Sequence, residues 1–311
     1  MSQPSSALDM LSIPYTSPRR QKRFPWANYL YLLPALLLIL TFFYYPIGYT
    51  LGISSLDWNG IGAKQTPIGL SNYQDIFKDP IVRRSFNNQL AFGLVTIFGQ
   101  MGLGLTMAIL LKSQARFKTF YKLIFFFPVV LSATVVSYVF RRIYDGSTGE
   151  LNALLNMLGL SSLTNAWLAD PILALYALMV ANMWEWTGFS FMMYFAGLTL
   201  IDEEIYEAAR IDGATLFQII VHIVIPLLWT THFSLIILGV IGVLKTFDLV
   251  WLTTQGGPGR ATEFMSTYIF KKGILEFKAG YASALSILVL VVALVMTIIQ
   301  LRGYGRSRGG A

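Results

Sequence analysis

Three ionisable residues sit in stretches where ionisable residues are costly. Glu185 lies in Trp184-Glu185-Trp186, and Lys245 and Asp248 bracket Thr246-Phe247, each within a long apolar segment. A charge at the centre of a bilayer costs roughly 2.5–3.5 kcal/mol on insertion scales, so such a group faces a partner or a cavity rather than lipid. A carboxylate between two indoles can hydrogen-bond hydroxyl groups while an aromatic ring covers an apolar surface. The three residues therefore mark a pathway for a polar solute. Three positions apart, Lys245 and Asp248 would share a helix face. A structural ion pair of Lys245 with Asp248 or Glu185, snorkelling to the interface, and a proton relay between the two carboxylates all stay open at this point.

The elements that must position these groups are helices in a membrane. The chain of 311 residues is 55% hydrophobic and only 13% charged, against about a quarter charged in a soluble domain. Runs of about 20 apolar residues occur at 28–51, 88–111, 121–140, 172–198, 226–250 and 280–301. They predict an all-α polytopic membrane protein with six transmembrane helices; the weak alternation argues against barrel strands. The first run is too long for a signal-peptide core and reads as an uncleaved helix. Arg19, Arg20, Lys22 and Arg23 precede it, Lys112, Arg116, Lys118 and Lys122 fill the short second loop, and Arg302, Arg306 and Arg308 follow the last run. By the positive-inside rule these fall in the cytoplasm, with both termini. The expected organisation is a disordered cytoplasmic tail over 1–24, a transmembrane domain over 25–302 and a cytoplasmic tail over 303–311.

The net charge of +7 is accounted for by this topology and by anionic lipid, with no need for nucleic acid. With no cysteine in the chain, disulfides and thiolate sites are excluded. Two isolated histidines, His222 and His232, do not make a metal site. No GxxxxGK[ST] occurs, so the chain has no P-loop for ATP. Ser147-Thr148-Gly149-Glu150 fits a capping box for a short outer helix that Gly159 can end. Gly99, Gly102 and Gly104 suit close helix packing. Arg141-Arg142 and Lys271-Lys272 face outward, free for solvent or for an acidic protein.

Residues 202–226 are charged and polar between two apolar runs. Asp202 can cap a helix whose first turns carry Glu203, Glu204 and Glu207. Ala208 and Ala209 favour helix, Gly213 can end it, Thr215 can cap a second helix, and Pro226 marks entry to the next span. The result is a helix–turn–helix with a small-residue face on the membrane surface.

Glu207-Ala208-Ala209, then Gly213, Ile223 and Ile225-Pro226, resembles the EAA loop of ABC importer permeases, with Ile225 standing where that pattern has Leu. Gly69-Leu70-Ser71-Asn72-Tyr73, Asn182-Met183-Trp184, Phe247-Asp248-Leu249-Val250, Gln255-Gly256-Gly257-Pro258 and Tyr281-Ala282-Ser283-Ala284 resemble the carbohydrate-uptake branch, which includes the larger maltose-transporter subunit and the glycerol-3-phosphate permease. This chain lacks that maltose subunit's inserted outer domain and its two extra helices. The resemblance implies a type I ABC importer permease fold with cytoplasmic coupling helices, in a bacterial or archaeal plasma membrane. It implies that Glu207, Ala208, Ala209, Asp212 and Gly213 meet an ATP-binding subunit. It implies a solute cavity near Trp184, Glu185, Thr187, Gly188, Lys245, Thr246, Phe247 and Asp248. The implied partners are a second permease subunit, two ATP-binding subunits that hold ATP and Mg, and an extracytoplasmic solute-binding protein. The implied activity is ATP-driven uptake of a sugar or polyol, with no ATPase site or cofactor of its own. Uptake of glycerol phosphate or another non-sugar solute is the nearer alternative, and an ion-coupled secondary transporter the more distant one. The absence of a visible inverted repeat argues against the latter.

Overall fold

The computed structural model describes residues 26–114 and 117–308; the expected tail over 1–24, and Arg116, lie outside them. The described residues through Tyr49 form one unit and those from Thr50 onward a second. The first apolar run folds as α1 (Trp26–Ile39) and α2 (Tyr45–Ile53), joined by a π-helical turn over Leu40–Tyr44.

In the second unit, two-residue strands β1 (Leu56–Asp57) and β2 (Thr66–Pro67) pair antiparallel, Leu56 opposite Pro67. The short helix α3 (Ser71–Lys78) follows. The long helix α4 (Pro80–Gln114) starts with proline at its first position, where no N–H is missed. Asp79 caps it, accepting from the Ile81 N–H at 2.8 Å.

The third apolar run is not one helix. It forms α5 (Lys118–Val130) and α6 (Ala133–Ile143), bent by 95° at Leu131-Ser132. Leu131 is extended, and the Ser132 side chain accepts from the Val135 N–H to start α6. The next loop holds α7 (Glu150–Met157), whose N-cap is Gly149. The expected capping box from Ser147 does not form, because the Ser147 and Thr148 hydroxyls and N–H groups all bond Asp145 instead. Gly159 ends the helix in the left-handed region as expected.

The fourth run is a single helix, α8 (Leu173–Thr199), packed against α4, α5 and α6. Glycine makes the approach possible. A Cβ on Gly188 would collide with the Phe125 carbonyl oxygen of α5, and one on Gly104 would lie 2.7 Å from the Phe191 backbone nitrogen of α8. Gly99 likewise abuts Met183, whereas Gly102 opens onto free space.

The fifth run is broken twice. After α9 (Glu203–Ile211), α10 (Leu216–Ile219) and a π turn over Ile220–Val224, the chain forms α11 (Ile225–Leu227), bends by 65° at Leu228, and continues as α12 (Trp229–Lys245). Then α13 (Asp248–Thr253) begins anew after a non-helical Thr246-Phe247. The glycine-rich stretch at 255–259 carries no helix. α14 (Met265–Phe270) leads to α15 (Ala279–Arg308), which extends as helix through residues expected to belong to the tail.

Three described stretches are long and apolar enough to cross a membrane, Leu30–Ile53, Pro80–Lys112 and Ala279–Gly303, and the two bent pairs raise the number to at most five. The expected sixth, α8, falls short on composition. Much of it packs inside the bundle, and it carries a half-buried Asn182 and buried Glu185, Thr187, Gly188 and Ser190.

Asp79 also joins this end of the unit together, accepting from Tyr268 at 2.5 Å and Tyr281 at 2.8 Å. Burial alone would raise its carboxyl. The Tyr268, Ile81 and Tyr281 hydrogen bonds and the Lys272 charge outweigh burial and hold it below the ordinary value. A carboxyl lowered in the folded protein stabilises above its unfolded pKa, and the contribution disappears as pH falls through the lowered folded value. Asp79→Asn should therefore lower the thermal midpoint of the detergent-solubilised protein at pH 7, with the gap from wild type narrowing below pH 3.8. A gap that is absent at pH 7, or that widens in acid, contradicts the network.

Candidate functional site

A cavity of about 470 Å³ lies between α4, α8 and α12. One wall is a face of α8: Asn182, Glu185, Trp186 and Phe189 recur at the spacing that puts residues on one side of a helix. The facing wall is Thr96 and Gln100 of α4, again one turn apart. The Gln100 amide donates to Asn182 Oδ1 at 2.9 Å, which fixes both amides at the rim of the space. Lys245, Thr246, Phe247 and Asp248 complete the lining where the fifth run is broken. Glu185 is only 4% exposed, yet no ion pair among the described residues includes it, Lys245 or Asp248.

The break explains why. Lys245 is the last residue of α12 and Asp248 the first of α13, so the shared helix face expected for them does not exist. The backbone groups freed there are satisfied by side chains. The Gln89 amide donates to the Val243 carbonyl at 2.8 Å and accepts from the Met265 N–H, and Ser266 donates to the Thr246 carbonyl at 2.6 Å. Phe247 stacks on Trp251 with the rings 13° from parallel.

Five of the eight sequence-predicted cavity residues thus line one space: Glu185, Lys245, Thr246, Phe247 and Asp248. The other three lie elsewhere on α8. Trp184 packs edge-on against Phe140 of α6, Thr187 bonds back to the Met183 carbonyl, and Gly188 is pressed against α5. The signal that separates the two sets was in the sequence as periodicity: 182, 185, 186 and 189 fall on one helix face, 184, 187, 188 and 191 on the other. Thr96, Gln100, Asn182 and Ser190 are the polar lining members that residue chemistry alone passed over.

The second site is the 202–226 segment. Asp202 stands at the N-cap of α9 without a side-chain cap bond, and Gly213, at φ +81°, ends the helix with the Ala214 N–H bonded to the Ala209 carbonyl. Thr215 and Gln218 form a reciprocal capping box on α10. Glu207, Ala208, Asp212 and Gly213 lie exposed together with Ile211 and Phe217, whereas Ala209 and Tyr206 turn inward. Tyr206, Ala209, Ile219, Val224 and Leu228 pack with Tyr194 and Leu198 of α8 and Ala108 of α4.

Lys112 clamps this arrangement. Its ammonium donates to the Leu198 carbonyl at the end of α8 at 2.8 Å, stands 3.7 Å from the Glu203 carboxylate and lies 4.3 Å from the Tyr206 ring centre. A residue read from sequence only as a topology charge therefore ties α4, α8 and α9 together. Lys271 and Lys272, expected to be free, are engaged as well: Lys271 pairs with the fully buried Glu263 and Lys272 with Glu276, each at 2.6 Å. Lys112→Ala should loosen α9 from the bundle and speed amide hydrogen exchange in Glu203–Ile211 by roughly tenfold, about 1.4 kcal/mol, with α12 unchanged. Exchange in α9 at the wild-type rate would show that the clamp carries no energy.

Comparison with known proteins places this geometry. Residues 89–302 match the family described as binding-protein-dependent transport system inner membrane component. The chain is 35% identical over 276 residues to a probable ABC transporter permease protein of Bacillus subtilis, covering 88% of this chain and 94% of that one. It is 33% identical to the trehalose/maltose transport system permease protein of Thermococcus litoralis over 90% of this chain and 94% of the other. Its fold matches a chain of a bacterial alginate ABC transporter, solved in complex with an alginate pentasaccharide-bound periplasmic protein, with a TM-score of 0.77 at 23% identity over 89% of this chain and 93% of that one. The matched span takes in both the cavity wall on α8 and the 202–226 segment, and the chain belongs to the family of inner membrane components of binding-protein-dependent transport systems.

Proposed function

We propose that this chain is the permease subunit of an ATP-driven importer that takes a sugar or sugar-like polyol from an extracytoplasmic binding protein. The observation that carries the reading is that one helix, α8, serves both sites. Its middle presents Asn182 and Glu185 to the cavity, and its end packs against the 202–226 segment. Amides, a carboxylate and the Trp186 and Phe247 rings are the groups that hold polyhydroxylated solutes. Among the described lining residues Lys245 is the one cation, a poor set for a phosphorylated solute. The sugar-related names of the similar permeases support the same class.

In this reading the 202–226 segment and both termini are cytoplasmic, and the loops holding α3, α7 and α14 face the binding protein. The exposed face of Glu207, Ala208, Asp212 and Gly213 meets an ATP-binding subunit, and a second permease subunit closes the cavity from the other side. ATP and Mg act on the partner subunits. Closure of that ATPase pair pushes α9 and α10, and α8 and α12 respond by opening the cavity to the outside, where the solute is released into it.

Two measurements test this. Glu207→Lys in the assembled transporter should cut binding-protein-stimulated ATP hydrolysis by at least tenfold, roughly the 1.4 kcal/mol or more of a central interface contact, and stimulation at the wild-type level refutes the docking face. Glu185→Gln should weaken uptake of the sugar found by calorimetry on the partner binding protein while leaving basal ATP hydrolysis intact. Uptake driven by an ion gradient without ATP would overturn the importer reading altogether.

A further inference from the structure

The fifth apolar run bends by 65° at Leu228, between a segment that belongs to the coupling site and a helix that lines the cavity. A π turn over Ile220–Val224 and Pro226, which has no N–H to give, precede the bend. Such a joint is free to flex unless something braces it.

His232, in the first turn of α12, is placed as that brace. Its Nε2 lies 3.1 Å from the Ile225 carbonyl oxygen on the far side of the bend. A carbonyl only accepts, so Nε2 carries the hydrogen, and Nδ1 is left with its lone pair. The Tyr194 hydroxyl lies 2.6 Å from Nδ1 and donates to it. One neutral imidazole, in one tautomer, thus bonds the coupling side of the joint through one nitrogen and α8 through the other. Tyr194 is 1% exposed, and its ring packs edge-on against the imidazole with centroids 5.2 Å apart. One turn further along α8, a Cβ on Gly197 would lie 2.7 Å from the Leu228 side chain and 2.9 Å from the Thr231 hydroxyl, so the side chains of the joint pack directly onto the α8 backbone there as well.

We propose that His232 and Tyr194 are a positioning pair that makes α8 and the joint of the fifth span move as one when the coupling segment is displaced. The proposal rests on the importer reading and names the part that carries motion within it. Tyr194 lies nine residues, about 13 Å of helix, from Glu185, and His232 is on the helix that ends at Lys245. The α8 wall and the Lys245 end of the cavity lining are therefore driven from a single hydrogen-bonded point. Apolar packing would seal the same space, but only directional bonds hold one bend angle.

The chain has no cysteine, which makes accessibility a clean readout. Ala133→Cys places a thiol on the cavity wall. In inverted membrane vesicles carrying the whole transporter, an impermeant maleimide reports access from the cytoplasmic face. Trapping the ATPase subunits with ATP and vanadate should lower labelling several-fold in the parent. Tyr194→Phe keeps the ring and loses the hydroxyl; His232→Gln keeps a donor towards Ile225 and loses the acceptor. Both should still trap nucleotide yet lose most of the labelling change. His232→Asn keeps an acceptor near Nδ1 but loses the donor towards Ile225, so it too should lose most of the change. Variants that trap nucleotide and switch access like the parent, or that fail to trap nucleotide at all, overturn the proposal. A parent whose labelling ignores ATP and vanadate overturns the importer reading instead.

Discussion

The part of the second unit that carries both sites is built on how closely other helices approach α8. In a bilayer no hydrophobic force drives one helix onto another, because lipid tails are as apolar as leucine; association depends on packing and on close backbone approach. Gly188 lets the Phe125 carbonyl of α5 come against α8, and Gly104 of α4 does the same beside Phe191. A helix gripped in this way is removed from lipid along much of its length. It can then carry Asn182 and Glu185, which a lipid-facing helix could not. The same enclosure explains why α8, long enough to span, is less apolar than the other expected spans.

The second constraint is backbone accounting. Irregular backbone at membrane depth persists only where it is buried in protein or lines a cavity. Both broken spans obey this. At Leu131-Ser132 a serine starts the new helix. At Lys245–Asp248 the carbonyls of Val243 and Thr246 are taken up by Gln89 and Ser266 from other elements. The breaks are what bring backbone-proximal polar groups to the cavity, so the features that interrupt the helices are also the ones that build the site.

The 202–226 segment has the opposite character. Its caps are local and its inner face is tied down by Lys112 and by packing onto α8, while its outer face leaves Ile211, Leu216 and Phe217 exposed beside Glu207. An apolar and charged surface mounted on an anchored element suits contact with another chain. Its anchoring to the cavity-bearing helix gives displacement at one site a short physical route to the other.

Much of this was legible in the residues alone, and the boundary is instructive. The apolar runs, the helix–turn–helix of 202–226, the Thr215 cap and the helix end at Gly213 depend on interactions within a few residues, and the sequence by itself determined them. That Glu185 faces a cavity or a partner followed from the cost of a charge in lipid; which of the two did not. Which side of α8 that residue shares was visible only as periodicity, because a helical repeat says which residues lie together and not what they face. The docking of α4 and α5 decided it, setting Asn182 and Trp186 on the cavity side and Trp184, Thr187 and Gly188 against α5 and α6 or α8 itself. The separation of Lys245 from Asp248, the clamp at Lys112 and the link from Ile225 through His232 to Tyr194 were likewise settled only in three dimensions. Each satisfies a backbone group or a charge with a partner far away in the chain, and no local pattern encodes such a partner.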